Sequence, residues 1–291
     1  MKRFHLFSLV LLIAVQACKK DPEIVVIPDN TAPPDNTIPA VLIETYVNKV
    51  YVSLVGREPV ASELEAGVLL LRDDNLSEAS RKDFIQTVQG KDQYTINLYE
   101  LARNELLNAL DTGQITENIA IFEFLLTDST NLAFFDFLHF EIGRLQKMKS
   151  IPADLSDSSL DVTKLHQRCV DNYFYDQINM GTENFVVSTF QQFLLRYPTQ
   201  TELDQGKRIV DGFEAILFFK SGKTKTDYYS IFFGSDDYYE GQVRDLFSRH
   251  LFREPTPSEI SYFTQIYKEE LDYLVLQQSI LSLDEYVGLE E

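Results

Sequence analysis

The chain has 291 residues, with 45 acidic against 26 basic side chains and a formal net charge of −19. A surface of that sign repels phosphate backbones, so the composition excludes nucleic acid as an expected partner. Hydrophobic residues make up 44% of the chain, which is enough for a sizeable core. We therefore expect a folded protein whose stability comes from packed apolar surface.

The N-terminus has the pattern of an export signal. Lys2 and Arg3 precede an apolar run of about ten residues, which suits a signal peptide and is too short for a membrane-spanning helix of about twenty. The run ends at Val15-Gln16-Ala17-Cys18, which resembles the lipobox of bacterial lipoproteins. This resemblance implies that residues 1–17 are a lipoprotein signal peptide and that lipid on Cys18 attaches the chain to a membrane. An ordinary signal peptide followed by a chance cysteine is the alternative.

Residues 19–23 are charged and are similar to the tags of Bacteroidetes-type lipoproteins. The resemblance implies an outer-membrane protein, with the cell surface favoured over the periplasmic face. Half of the ten prolines lie between residues 22 and 39, and proline cannot continue a helix. Residues 18–40 are therefore predicted to form a disordered, lipid-anchored, Pro-rich tether. With Cys18 lipidated, Cys169 has no partner for an intramolecular disulfide.

The rest of the chain repeats one pattern three times. Each copy is centred on an arginine. A valine lies ten residues before this arginine and an aromatic residue lies six residues before it. A proline lies two residues after it and a glutamate lies six residues after it. The positions are Val47, Tyr51, Arg57, Pro59 and Glu63; Val186, Phe190, Arg196, Pro198 and Glu202; and Val243, Phe247, Arg253, Pro255 and Glu259. The apolar offsets fit one helical stripe, and the proline predicts the end of that helix.

A second helix is predicted to begin directly after each proline. Thr199 and Thr256 each precede a glutamate by three residues, which is the pattern of a capping box. The first copy has Val60 instead, so its turn should be weaker by about 1 kcal/mol. For the three arginines, we expect each to cap the first helix and pair with the glutamate across the corner. A repeated contact with an anion or partner is the alternative.

Each copy also ends with an acidic residue and a tyrosine after an apolar segment. The repeats then span residues 46–94, 185–239 and 242–288. We predict an all-α protein in which helical hairpin repeats pack into one or two bundles. The first repeat belongs to an N-terminal helical domain of residues 41–184, and the other two form a C-terminal helical domain of residues 185–291.

This order of motifs resembles a short helical domain of unknown function that occurs in tandem in exported bacterial proteins. It is also distantly similar to the helical linker domains of phycobilisomes. The chain departs from the pattern because the glycine expected before the arginine is present only as Gly56, with Leu195 and Phe252 in the other copies, and because it has no tryptophan. The resemblance implies a packing module of extracellular or assembly proteins, with no reaction assigned to it.

Residues 95–184 lack the repeat. Helical spacing predicts helices over residues 99–110, 115–126 and 132–145, a loop over 154–161, and a helix over 162–175. The third of these is apolar nearly all round, because Phe134, Phe137 and Phe140 lie outside its main stripe. We expect this helix to be buried centrally, the alternative being a surface offered to a partner.

Residues suited to catalysis or metal binding do not form a recognisable constellation. We expect a buried Cys169 and a surface His166 rather than a metal site, and a polar turn at residues 222–224 rather than a phosphate loop. Acidic pairs at residues 73–74 and 236–237 are expected to be solvated rather than bound to calcium. No catalytic residue, metal or cofactor is predicted.

These features favour a non-enzymatic accessory or scaffold subunit of an envelope assembly, with an envelope protein as its partner. The alternative is surface capture of glycan or calcium in a cleft between repeats. An enzyme with dispersed residues comes third.

Overall fold

Sixteen α-helices account for most of residues 38–289, which are the residues that the computed structural model describes, so the all-α prediction is confirmed. The helices are α1 (Ala40–Val55), α2 (Ala61–Asp73), α3 (Glu78–Gln89), α4 (Asp92–Leu106), α5 (Thr112–Leu125), α6 (Phe135–Lys149), α7 (Ile151–Ser156), α8 (Val162–Val170), α9 (Tyr173–Ile178), α10 (Thr182–Thr189), α11 (Gln200–Val210), α12 (Lys225–Phe233), α13 (Asp236–His250), α14 (Pro257–Glu270), α15 (Tyr273–Leu281) and α16 (Asp284–Val287). A 3-10 turn, Ser129–Phe134, leads into α6, and a π-helical turn, Phe190–Leu194, extends α10.

The predicted signal peptide (1–17), Cys18 and the predicted tether as far as residue 37 lie outside the described residues. Helix α1 begins at Ala40 after Pro39, at the predicted end of the tether. Among residues 38–289, no helix is both long and apolar enough to cross a membrane.

One β-hairpin interrupts the helices and was not predicted. Strands β1 (Ala215–Leu217) and β2 (Lys220–Gly222) pair antiparallel, with Phe218 and Phe219 between them at φ 47° and 61°. Positive φ at both turn positions is what the type I′ turn of a two-residue hairpin requires. The polar turn predicted at residues 222–224 leads from β2 into α12, where the Thr224 side chain accepts a hydrogen bond from the Asp227 amide.

Two predicted boundaries in the middle segment are wrong. The acidic loop predicted from residue 154 begins inside α7, which continues to Ser156. The helix predicted over residues 162–175 breaks into α8 and α9 at Asn172. The Asn172 side chain donates to the carbonyl of Cys169 and accepts from the amide of Tyr175, so it ends one helix and caps the next.

The core consists of two clusters of buried side chains within one compact unit that begins at Ile38. The larger cluster runs from Tyr99 to Ile280, so it includes residues on both sides of the boundary predicted at 184 and 185. The smaller cluster joins α1 and α3 to the end of the chain, where Tyr286 is buried. The two predicted halves therefore share a core.

Candidate functional site: repeat corners, a polar cavity and an aromatic groove

Each repeat corner begins with a residue in the left-handed backbone region, directly before the arginine. Gly56, Leu195 and Phe252 have φ values of 74°, 54° and 55°. Glycine adopts this conformation without strain, whereas other L-residues lose roughly 1–2 kcal/mol. Helix α1 already ends at Val55 and α13 at His250. The helices therefore end at or before this left-handed residue, and the prediction that proline ends them is wrong.

The arginine of each corner holds the glutamate six residues later with two hydrogen bonds. Each guanidinium also donates to the backbone carbonyl of the residue that follows it. The carbonyl belongs to the corner rather than to the last turn of the helix, so the expected helix capping by arginine is wrong, while the expected pairing is present. The pairs are Arg57 with Glu63 (2.7 and 3.0 Å), Arg196 with Glu202 (2.9 and 2.7 Å) and Arg253 with Glu259 (2.9 and 2.6 Å).

The aromatic residue six positions before each arginine lies beneath its guanidinium. This stacking explains the aromatic position of the repeat, because the ring face attracts the cation and covers its apolar stem. The distances from guanidinium carbon to ring centroid are 5.8 Å for Arg57 and Tyr51, 5.1 Å for Arg196 and Phe190, and 4.9 Å for Arg253 and Phe247.

The acidic residue that precedes the closing tyrosine binds the same arginine in the second and third repeats. Asp237 accepts from Arg196, and Glu285 accepts from Arg253 at 2.6 Å. The tyrosines that follow, Tyr238 and Tyr286, are buried. The repeat ending therefore ties the start of the next helix to the corner.

The first corner has the opposite charge arrangement. Gln93 occupies the position before the closing Tyr94, so Arg57 has no second acidic residue there. Instead, Lys91 forms an ion pair with Glu63 at 3.1 Å. This corner contains two cations around one carboxylate, whereas the others contain two carboxylates around one cation.

The capping pattern follows the prediction. Thr199 and Thr256 each accept from the amide three residues later, and the glutamate at that position accepts from the threonine amide. At Val60 only the second bond forms, since Glu63 accepts from the Val60 amide at 2.9 Å and valine offers no acceptor. The hydrogen bonds from Arg57 lower the pKa of Glu63 to about 2.

A glycine four residues after the corner glutamate was missed by the sequence analysis. A Cβ at Gly67 would lie 3.2 Å from the methyl groups of Val47, and one at Gly206 would lie 3.0 Å from Val186. These glycines allow the second helix of the repeat to lie close to the valine of the first helix. In the third repeat Phe263 stands at this position. The Glu-x-x-x-Gly spacing in two copies was the available signal.

The predicted turn residues are thus brought together within each corner, where they stabilise the fold. Pro59 and Pro198 are half-buried and Pro255 is buried, between the arginine and the second helix. The arginine and glutamate groups are engaged with one another and with the backbone. The arrangement provides no reactive group directed at solvent from these residues.

A small polar cavity lies where the three repeats meet. His166, Gln192, Gln242, His250 and Gln277 line a volume of about 80 Å³. Sites for drug-sized ligands are usually about 300–1,000 Å³, so this volume suits a few waters rather than a sugar.

An ion-pair network also lines the cavity. Arg249 donates to both oxygens of Glu105 at 2.6 Å and to Asp245 at 2.6 Å. Both carboxylates are thereby engaged by a cation. No group of three potential metal ligands is placed to hold an ion anywhere in residues 38–289.

The expected surface position of His166 is wrong. His166 is half-buried, and its Nδ1 lies 2.9 Å from the Tyr238 hydroxyl. Burial lowers the pKa of His166 to about 3, and burial together with Arg249 lowers that of His250 to about 4. Cys169 is buried as expected, and burial raises the pKa of its thiol to about 12.

The acidic pair at residues 236–237 is exposed to solvent as expected, with side chains 67% and 39% accessible, and it also forms ion pairs. Asp237 pairs with Arg196, and Asp236 forms an ion pair with Lys268 at 2.8 Å. Both carboxylates lie in the first turn of α13 and neutralise cations of neighbouring segments, Arg196 of the second corner and Lys268 of α14.

The expected central burial of the phenylalanine-rich helix is wrong. Phe134, Phe137 and Phe140 are 61%, 52% and 61% exposed. Helix α6 instead buries its opposite stripe, which includes Leu138 and Leu145. Its aromatic residues therefore form an apolar surface open to solvent.

A groove of about 330 Å³ runs along this surface and is called the aromatic groove below. Phe122 and Leu138 are buried and form its floor, while Phe134 and Phe137 are exposed at its edge. Tyr173 of α9 lies edge-on to Phe122, with ring centroids 5.4 Å apart. The full lining is Phe122, Leu125, Asn131, Phe134, Phe137, Leu138 and Tyr173.

A buried ion cluster fixes α6 beside this groove. Arg144 binds Glu141 at 2.8 Å on its own helix and Asp176 at 2.8 Å on α9. Lys225 of α12 also binds Asp176. Burial raises the pKa of Glu141 despite the neighbouring Arg144. Since α6 and α9 both line the groove, this cluster holds its two sides together.

Comparison with known proteins gives no match, since no family model, no curated protein and no solved structure is significantly similar to the chain. The candidate site therefore rests on geometry alone. Of the features described, the aromatic groove is the one that exposes apolar side chains in an organised arrangement.

Proposed function

We propose that the chain is a non-enzymatic cell-envelope lipoprotein that acts as an accessory or scaffold subunit of an outer-membrane or surface assembly. In this proposal, lipid on Cys18 attaches the protein to the membrane, and residues 18–40 hold the helical body away from it. The cell surface is the favoured face. An envelope protein is the partner.

The observation that carries the proposal is the aromatic groove. Soluble monomers rarely leave a contiguous apolar surface exposed unless it serves an interaction. Phe137 of α6 and Phe134, directly before α6, are exposed although this helix has a well-buried opposite face. The polar groups of the repeat corners, by contrast, are engaged within the fold. A protein-binding role accounts for both observations.

The competing function, capture of glycan or calcium between repeats, has less support. In the cavity of about 80 Å³ where the three repeats meet, the carboxylates of Glu105 and Asp245 are paired with Arg249, and a sugar or a calcium ion would have to displace these pairs. A second cavity, of about 530 Å³, lies between residues 89–92 of the first repeat and residues 270–274 of the third, and within residues 38–289 no group of three potential metal ligands is placed there.

The test combines lipid labelling with affinity purification from gently solubilised envelopes. We expect the wild-type chain to be lipid-labelled, to sediment with membranes and to bring down partners in stoichiometric amounts. Cys18→Ala should lose the label and the membrane attachment. A labelled, membrane-bound Cys18→Ala variant would refute the anchor. A chain that purifies alone but gains melting temperature with glycans or calcium would favour ligand capture.

A further inference from the structure

The aromatic groove lies in the most one-sidedly acidic part of the chain. Between Arg103 and Arg144 the sequence contains no lysine or arginine. Its acidic residues in this interval are Glu105, Asp111, Glu117, Glu123, Asp128, Asp136 and Glu141. Glu117, Glu123, Asp128 and Asp136 are exposed. The groove is therefore apolar at its centre and flanked by negative charge.

The two arginines that bound this interval do not offset that charge. Arg103 pairs with Glu100 on its own helix. Arg144 is buried and bound by Glu141, Asp171 and Asp176. Within residues 104–143, which supply most of the groove lining, the free side-chain charge is therefore carboxylate.

We propose that the aromatic groove binds a basic amphipathic helix of a partner protein. Such a helix places apolar side chains at i, i+3 or i+4 spacing, which suits insertion beside Phe134 and Phe137. Lysine or arginine on its flanks then meets carboxylates such as Glu123 and Asp136, which neighbour groove residues in the chain. The proposal rests on the proposed function, because it specifies the partner's chemistry.

Two other occupants fit the same groove less well. An anionic membrane surface would be repelled by the carboxylates that flank the phenylalanines. A second copy of the chain, joined by a two-fold axis, would bring the same acidic flanks together. A basic partner removes this repulsion, so charge complementarity favours it over both.

The test uses a defined probe, a fluorescein-labelled 18-residue peptide of leucine and lysine at helical spacing. The same pattern with glutamate in place of lysine is the control peptide. Binding is measured by fluorescence anisotropy at low and at raised salt. We expect saturable binding of the Leu/Lys peptide that persists at raised salt, and no binding of the Leu/Glu peptide.

The decisive variant is Phe134→Gln/Phe137→Gln, which should weaken Leu/Lys binding by about tenfold or more because it removes the apolar contacts. The matched control is Phe213→Gln/Phe219→Gln, which removes two exposed phenylalanines far along the chain, and we expect it to bind within about twofold of wild type. Both pairs are exposed, so circular dichroism should show unchanged folding.

Glu123→Gln/Asp136→Gln provides a second test. We expect this variant to make the affinity for the Leu/Lys peptide less dependent on salt concentration.

The proposal is overturned if the Phe134/Phe137 variant binds the Leu/Lys peptide as tightly as the control variant, since attraction to the overall negative charge would then explain binding. It is also overturned if these phenylalanines are needed instead for binding to phosphatidylglycerol vesicles or for dimerisation in sedimentation experiments. If the Phe134/Phe137 variant still brings down the wild-type envelope partners, the groove proposal fails and the proposed function stands. A Cys18→Ala chain that stays lipid-labelled, with groove binding intact, removes the proposed function alone.

Discussion

Single residues at the corners show how backbone conformation is set by the fold rather than by residue type. Gly56, Leu195 and Phe252 share the left-handed conformation, although only glycine is suited to it. Leu195 is partly covered, but Phe252 is 86% exposed and gains little from packing. The third corner therefore retains backbone strain with little side-chain benefit.

We predict that Phe252→Gly stabilises the protein. Relief of left-handed strain is worth roughly 1–2 kcal/mol, and the added freedom of glycine in the unfolded chain removes about 0.5–1 kcal/mol of it. The net gain of about 0.5–1 kcal/mol corresponds to a rise of about 1–4 °C in Tm for a domain of this size. Thermal unfolding followed by circular dichroism measures it.

Gly56→Ala is the matched control for this substitution. Its φ is 74°, and a Cβ there would lie 2.7 Å from Oδ1 of Asn97, so we expect Tm to fall. A Phe252→Gly protein with a Tm below that of wild type would show that the Phe252 ring stabilises the fold despite its exposure.

The two half-buried histidines, His166 and His250, predict a pH dependence of stability. Burial lowers the pKa of His166 to about 3 and that of His250 to about 4, from an ordinary value of 6.5. Below pH 6.5 the unfolded chain takes up protons that the folded chain does not, so stability is present above pH 6.5 and is lost as pH falls towards these lower values.

Urea denaturation between pH 7 and pH 5 measures this loss, because most carboxylates remain ionised there. We expect the free energy of unfolding to fall by up to about 1.4 kcal/mol per pH unit for each histidine. His166→Gln and His250→Gln should each make the free energy of unfolding depend less steeply on pH. A slope that neither substitution changes would mean that other groups cause the pH dependence.

At the scale of secondary-structure elements, the sequence predicts the repeats well because each is specified locally. The Arg-x-Pro and Thr-x-x-Glu spacings place a corner and a cap within about ten residues of each other, so the pairing of Arg196 with Glu202 needs no knowledge of the rest of the fold. The β-hairpin was missed because its turn residues, Phe218 and Phe219, are not turn formers and take positive φ only in context.

The aromatic groove could not be predicted for a different reason. An apolar residue on every side of α6 is compatible with central burial and with partial exposure, and sequence alone cannot tell which neighbours cover it. The sequence does show that lysine and arginine are absent between residues 103 and 144. This was the available sign that the surface of this segment differs in charge from the rest of the chain.

The charge arrangement of the corners predicts that they differ in stability. Arg253→Ala leaves Glu259 and Glu285 close together without a cation, whereas Arg57→Ala leaves Glu63 still paired with Lys91. We expect Arg253→Ala to lower the free energy of unfolding more than Arg57→Ala does, because it leaves two carboxylates without their shared cation.

Urea denaturation of the two variants at pH 7 provides the comparison. Equal losses would indicate that the second carboxylate contributes nothing. A change in partner binding by Arg253→Ala at unchanged stability would favour the alternative function of these arginines, a repeated contact with an anion or partner.

At the scale of the whole molecule, the C-terminal helices complete the core of the N-terminal repeat. The Tyr46 hydroxyl donates to the carbonyl of Leu281 at 3.1 Å, and Arg81 pairs with Asp284 at 2.6 Å. Gln89 donates to the side chain of Gln277 at 2.9 Å. Helices α1 and α3 therefore depend on partners about two hundred residues away in sequence.

We predict that removing residues 271–291 destabilises α1 and α3 more than it destabilises α11 and α12. The truncation removes Leu281, Tyr286 and Val287 from the smaller core cluster and leaves the hydrogen-bonding groups of Tyr46 and Arg81 unpaired. Hydrogen exchange followed by mass spectrometry should show faster exchange across α1 and α3, since local opening would need less free energy. The opposite result, with protection kept in α1 and α3 and lost in α11 and α12, would contradict the prediction. It would mean that the first repeat is stabilised by its own corner and by α4, without residues 271–291.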